Sequence, residues 1–185
     1  MKGPLFALTG PPGSGKTTLA LRLVQDIRAQ GHAAGGVISL EVREGGRRTG
    51  FVMRDLLTGE QELLATTKGG RGPRLGRYFV NVEGIGGFCR RALERARQQG
   101  GLVVVDEVGP MELLSEEFVG AVEEALGWGR PLLVVLHQRS AHALASRIRA
   151  SARALYSLAE RPPELVRREL LEALLAELRA AKPYY

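Results

Sequence analysis

Apolar positions recur along this chain in two alternating rhythms. Short runs of aliphatic residues at Leu5–Thr9, Leu102–Val105 and Leu132–Leu136 are bounded by glycine or polar residues, and they read as strands covered on both faces. Between them the spacing changes to that of helices. Leu19, Leu23 and Ile27, with Ala20 and Val24 beside them, predict a helix that ends at Gly31, and Phe88, Ala92, Leu93 and Ala96 predict another from about Ile85 to Gln99. Ser115 can cap a helix running through Ala125, with Glu116 and Glu117 in its first turn. Ser140 can cap one to about Ala150, Ala154–Leu158 is strand-like, and Pro163 starts a last helix with Val166, Leu170, Leu174 and Leu178 on one stripe. Strands alternating with helices predict a single α/β domain over residues 1–185, with a mainly parallel sheet and right-handed crossovers.

One region breaks this rhythm. Val37–Val42, Thr49–Met53 and Gln61–Thr66 are separated by the turn signals Glu44-Gly45-Gly46-Arg47-Arg48 and Leu57-Thr58-Gly59, which predicts an antiparallel β insertion around residues 37–66. Thr67–Gly76 holds four glycines, a proline, Lys68, Arg71 and Arg74, with Arg77 just beyond. It reads as a mobile basic loop, either solvated or able to close over a triphosphate. An apolar run resumes at Tyr78–Val82.

Composition narrows the possibilities. The chain is 44% hydrophobic and 25% charged, values of an ordinary globular domain. No apolar run approaches the length that crosses a bilayer, and the lone Cys89 cannot form an internal disulfide, so a cytoplasmic protein is expected. The formal charge of +6 invites a nucleic-acid reading, but the basic residues are dispersed and mostly arginine. With a single Asn, the bias fits a heat-adapted organism, and nucleic acid is kept as a possible but not favoured partner. His32, His137 and His142 show no metal-ligand spacing with each other or with Cys89. Trp128, Phe88 and Phe118 read as core residues.

Two stretches carry the chemistry. Gly10-Pro11-Pro12-Gly13-Ser14-Gly15-Lys16-Thr17 fits the phosphate-loop pattern G-x-x-x-x-G-K-[ST], placed as that pattern requires between a buried strand and a helix. Glycines at such positions let backbone N–H groups turn inward around an anion. Lys16 supplies a cation for the β- and γ-phosphates, Thr17 a hydroxyl for Mg²⁺, and the helix N-terminus, continuing into Thr18, favours negative charge. The second stretch, Leu102-Val103-Val104-Val105-Asp106-Glu107, describes a buried strand with two carboxylates at its C-terminal end. Asp106 is expected to hold Mg²⁺ beside Thr17. Glu107, projecting differently because strand side chains alternate, is expected to accept a proton from the attacking water. His137, at the tip of the following strand, is either a γ-phosphate contact or a hydrogen-bonded loop residue.

With these residues the chain resembles the THEP1 family of nucleoside-triphosphatases. The likeness covers most of the chain to about residue 140. It rests on Gly10–Thr17, Arg48-Thr49-Gly50-Phe51, Tyr78 with Val80-Asn81-Val82, and above all Asp106-Glu107-Val108-Gly109-Pro110-Met111-Glu112-Leu113. The resemblance implies a three-layer, RecA-like P-loop fold and Mg²⁺-dependent hydrolysis of ATP, GTP and other nucleoside triphosphates with loose base selectivity. His137-Gln138-Arg139 and Glu160-Arg161-Pro162-Pro163 depart from the family's usual Thr-Ile-Pro and Glu-Asn-Arg, which leaves base recognition open. In this reading the nucleotide is held by Gly10, Pro11, Pro12, Gly13, Ser14, Gly15, Lys16, Thr17, Thr18 and Asp106. The metal is held by Thr17 and Asp106, and catalysis falls to Glu107 and Lys16. Arg48, Arg71, Arg74 and Arg77 are candidates to stabilise transition-state charge. A monomer or weak homo-oligomer is expected. A small-molecule kinase and a nucleic-acid-associated ATPase or nucleotide switch are the alternatives.

Overall fold

The computed structural model describes residues 3–181. Nine strands form one sheet: β1 (Leu5–Thr9), β2 (Ala34–Glu44), β3 (Arg47–Asp55), β4 (Gln61–Thr66), β5 (Arg74–Leu75), β6 (Tyr78–Val80), β7 (Leu102–Val108), β8 (Leu132–Leu136) and β9 (Ala154–Ser157). Their order across the sheet is β5-β6-β4-β3-β2-β7-β8-β1-β9. β2, β7, β8, β1 and β9 run parallel, and β3, β4, β6 and β5 extend the sheet past β2 in antiparallel pairs.

Period-two alternation along the parallel strands explains the three layers. On one face Leu5, Ala7, Val103, Val105, Leu132 and Val134 pack under α2 (Val82–Gln99), α3 (Glu116–Ala125) and α4 (Ala143–Ser151). On the other, Phe6, Leu8, Leu102, Val104, Leu133 and Val135 pack under α1 (Lys16–Ala29) and α5 (Pro163–Ala180). Phe88 and Phe118 are buried, and Trp128 is half-buried against the core with Arg97 5.1 Å above its ring.

The predicted insertion is larger than residues 37–66. β2 does not belong wholly to it, because Ala34–Ile38 pair parallel with Leu102–Asp106 and only its continuation is a hairpin arm. At its far end, the stretch expected to be a loop contributes β5, paired with β6 in a hairpin closed by Gly76. The cap of α4 also differs from expectation. His142, not Ser140, accepts the free Leu144 N–H through Nδ1 at 3.1 Å, while the Ser140 hydroxyl accepts from His142 N–H. Asn81 caps α2 through Gly84 N–H, starting that helix three residues before the predicted Ile85.

One buried charge fastens the extension to the core. Asp55 is fully buried and accepts from Leu57 N–H at 2.7 Å and from Arg95 of α2 at 2.8 Å.

Candidate functional site

The phosphate loop joins β1 to α1. Gly13 and Gly15 take φ values of 73° and 91°, which L side chains rarely adopt, and Gly15 serves as the N-terminal cap position of α1 without any side-chain cap. The first N–H groups of this helix are therefore left for a ligand. Lys16 Nζ donates to Gly10 O at 3.0 Å and Pro11 O at 3.1 Å, folding over the loop that it follows.

β7 lies two strands away from β1, with β8 between them. Asp106 sits in the parallel ladder opposite Ile38 on β2 and Val135 on β8, and is 1% exposed. Burial pushes its pKa up to about 7; contact with the Thr17 hydroxyl and the Lys16 charge work downward against burial, and Glu107 works upward. Among the described residues, two buried side-chain oxygens lack a hydrogen-bond partner, Asp106 Oδ2 and Ser14 Oγ. An unpartnered buried carboxylate oxygen is costly unless a cation or donor meets it, so Asp106 and Thr17 fit a hard divalent cation with oxygen ligands.

The register of β7 on β8 shifts between Asp106 and Val108, leaving Glu107 outside the paired positions and turned into a cavity of about 540 Å³. That cavity runs along the carboxyl ends of the parallel strands. At one end it is lined by Pro12, Gly13, Gly15, Lys16, Thr17 and Thr18, and in the middle by Asp106, Glu107 and His137. Gly10, Pro11 and Ser14 shape the loop from behind without lining the cavity: a Cβ on Gly10 would lie 2.8 Å from Ser14 Oγ.

His137 follows β8 in a loop pinned by Arg149, which donates to His137 O at 3.0 Å and Ser140 O at 2.7 Å. The residue lines the cavity, and its ring Nδ1 accepts Arg139 N–H as expected of a hydrogen-bonded loop histidine. Of the four candidate arginines, Arg48 lines the cavity. It donates to Tyr78 Oη at 2.9 Å and Glu41 Oε1 at 2.8 Å and lies 5.0 Å above the Phe51 ring. Arg77 donates to the same Tyr78 hydroxyl from outside the cavity, and Arg74 lies over Phe79. Burial works to raise the Tyr78 pKa, but the hydrogen bonds from Arg77 and Arg48 outweigh it and hold the phenol below its ordinary value.

Sequence reasoning gave no role to Glu112 or Ser39. Glu112 stands in a 3₁₀ turn, is 3% exposed, and accepts from Ser39 Oγ at 3.2 Å. Burial first, and then the charge of Glu107, push its pKa up to about 8. Gly109 lies beneath both carboxyls. A Cβ there would be 2.8 Å from Glu107 Oε1 and 3.0 Å from Glu112 Oε2, so a side chain at that position would displace the two carboxyl groups.

A family model described as NTPase matches residues 5–171. The nucleoside-triphosphatase THEP1 of Thermofilum pendens is 46% identical over 134 residues, spanning 72% of this chain and 74% of that protein. Its Methanosarcina acetivorans counterpart is 44% identical over 78% of this chain and 82% of its own. In three dimensions the chain is similar to THEP1 from the hyperthermophile Aquifex aeolicus, with a TM-score of 0.79 at 26% identity over 92% of this chain and 98% of that one. A human cancer-related nucleoside triphosphatase aligns with a TM-score of 0.73 at 28% identity, covering 97% and 99%.

Proposed function

The chain belongs to the THEP1 family of nucleoside-triphosphatases, and from that premise we propose that it hydrolyses ATP, GTP and other nucleoside triphosphates to the diphosphate and phosphate in a Mg²⁺-dependent reaction. The observation that carries this reading is the cavity that faces the phosphate loop with Asp106 and Glu107 together, Asp106 Oδ2 being buried and without a partner. Broad base selectivity is supported by the same residues. Lys16, Thr17, Asp106 and Glu107 all address the phosphate chain, which every nucleoside triphosphate shares.

In this mechanism the N–H groups of Gly13–Thr17 and the Lys16 ammonium hold the β- and γ-phosphates. Thr17 and Asp106 are the residues that would hold Mg²⁺, which when bound neutralises charge on the phosphate oxygens. Glu107 orients the attacking water and takes its proton, while Gly109 keeps open the space the carboxylate needs. Little covalent chemistry is required of the protein, so positioning and charge compensation supply most of the acceleration.

Phosphate release from ATP, GTP, CTP and UTP with Mg²⁺ tests the proposal. The wild type is expected to hydrolyse several of them. Glu107→Gln is expected to keep nucleotide binding and lose about 10²–10⁴-fold in turnover, the usual contribution of a positioned base. A wild-type protein that binds nucleotide and releases no phosphate above background overturns it.

A further inference from the structure

The cavity does not end at the residues that address the phosphates. A water molecule occupies about 30 Å³ of liquid volume, so a purely hydrolytic site needs only a small polar recess beyond the γ-phosphate. Here the cavity continues past Glu107 toward the antiparallel extension, and its walls change character: Leu40 of β2, Phe51 of β3, Leu64 of β4, Leu75 of β5 and Met111 after β7 line it. Convergent polar groups remain at its edges. The Ser39 hydroxyl and the buried Glu112 carboxyl meet on one side, and Arg48, fixed by Glu41 and Tyr78, stands on the other. Apolar walls with a few fixed polar groups are the mark of a small-molecule site.

Sheet order gives the direction. From the phosphate loop after β1, the cavity crosses β8 and β7 before reaching β2, β3 and β4. Lys16, Thr17 and Asp106 address the β- and γ-phosphates, so the γ-phosphate end of a bound triphosphate faces Glu107 and the apolar end lies beyond it. We infer that this apolar end is a second substrate site, which takes a neutral nucleoside and presents its primary hydroxyl to the γ-phosphate, making the protein a phosphotransferase as well as a hydrolase. The inference rests on the triphosphate reading above.

The walls specify the acceptor. Phe51 offers a flat face and Met111 a polarisable one, which suit a planar heterocycle, and Ser39, Glu112 and Arg48 offer donors and acceptors for its edge. A nucleoside is favoured over a nucleotide because the charge of Arg48 is already paired with Glu41 at 2.8 Å, and the Glu41 carboxylate repels an added phosphate. In the transfer, the acceptor hydroxyl oxygen forms a bond to the γ-phosphorus as the bridging bond to the β-phosphate breaks. The hydroxyl proton passes to the Glu107 carboxylate and then to solvent, and nucleoside diphosphate leaves.

The test is ³¹P NMR of MgATP turnover with adenosine, guanosine, cytidine, uridine or thymidine added, following phosphomonoester, diphosphate and inorganic phosphate together. With at least one nucleoside, a phosphomonoester resonance is expected whose ratio to inorganic phosphate rises and saturates with nucleoside concentration. Leu40→Trp and Leu75→Trp, each checked for folding by thermal melting, fill the apolar end and are expected to lower that ratio by about tenfold or more, the discrimination that pocket shape commonly gives. Inorganic phosphate alone with all the nucleosides overturns the acceptor site and leaves hydrolysis standing. Phosphomonoester without any acceptor-free phosphate release upholds the site and overturns the hydrolytic reading. If folded tryptophan variants leave the ratio unchanged, or raise KM for the triphosphate in its place, the apolar end is not an acceptor site.

Discussion

The two halves of the sheet treat their charges in opposite ways. In the antiparallel extension, ionic side chains satisfy one another: Arg48 and Arg43 share Glu41, Lys68 meets Glu44, and Arg95 bridges Asp55 and Glu60. In the parallel half, at the carboxyl ends of β1 and β7, Asp106 Oδ2 and Ser14 Oγ are buried without partners among the described residues, and Lys16 donates to carbonyls of its own loop. The extension carries the mark of scaffold, where polar groups are paired to hold a shape. The phosphate side leaves polar groups unpaired, which is what the proposed triphosphate site would offer a ligand.

If this contrast is right, the largest energetic effect lies in the scaffold. Asp55→Ala strips a buried carboxylate from Arg95 and from Leu57 N–H, and is expected to cost about 3 kcal/mol in denaturant unfolding, because Leu57 N–H loses its partner while Arg95, 35% exposed, keeps part of its hydration. A loss under about 1 kcal/mol would mean that Arg95, on the margin of the pair, is satisfied by water. Next comes Lys16→Ala, expected to weaken triphosphate binding and turnover by about 10²–10³-fold, measured by titration and phosphate release, while changing thermal stability little. The reverse pattern, a stability loss with turnover preserved, would place Lys16 with the scaffold.

Glu112 gives a smaller effect with a definite sign. Its folded-state pKa of about 8 lies above the ordinary 4.5, so between those values the folded protein holds a proton that the unfolded chain has released. Stability therefore falls as pH rises through that window, and the penalty is complete above about pH 8. Glu112→Gln removes the penalty. The melting temperature of the variant is expected to gain on the wild type between about pH 5 and pH 9, and parallel curves would show that Glu112 is ionised in the fold. The smallest effect belongs to Lys68→Ala, whose partner Glu44 is also solvent-exposed, and is expected to stay under about 0.5 kcal/mol.

What could be read from the sequence was local. The phosphate loop and the Asp106-Glu107 strand end are contiguous and chemically distinctive, so residue type and spacing sufficed to mark them, and the helices over Leu19–Ile27 and Val166–Leu178 followed from one-sided periodicity. Contacts made across the chain were not legible. Ser39 and Glu112 are 73 positions apart, and nothing in either neighbourhood marks them as partners. Which of the four candidate arginines reaches the cavity was decided by the register of β3, β4 and β6, and it is Arg48 of the hairpin, not one from the basic stretch. The cap of α4 was misplaced because two suitable residues stand two positions apart, and the Ser140 hydroxyl is committed to His142 N–H.

The Lys16 ammonium has three donors, and two of them are engaged by Gly10 O and Pro11 O. The charge proposed to meet the phosphates is thus also the clasp of the loop, and an anion that draws it away must outbid two carbonyls. A ligand that takes over the Lys16 ammonium therefore releases two of the loop's own hydrogen bonds, so the shape of the loop then rests on what it holds.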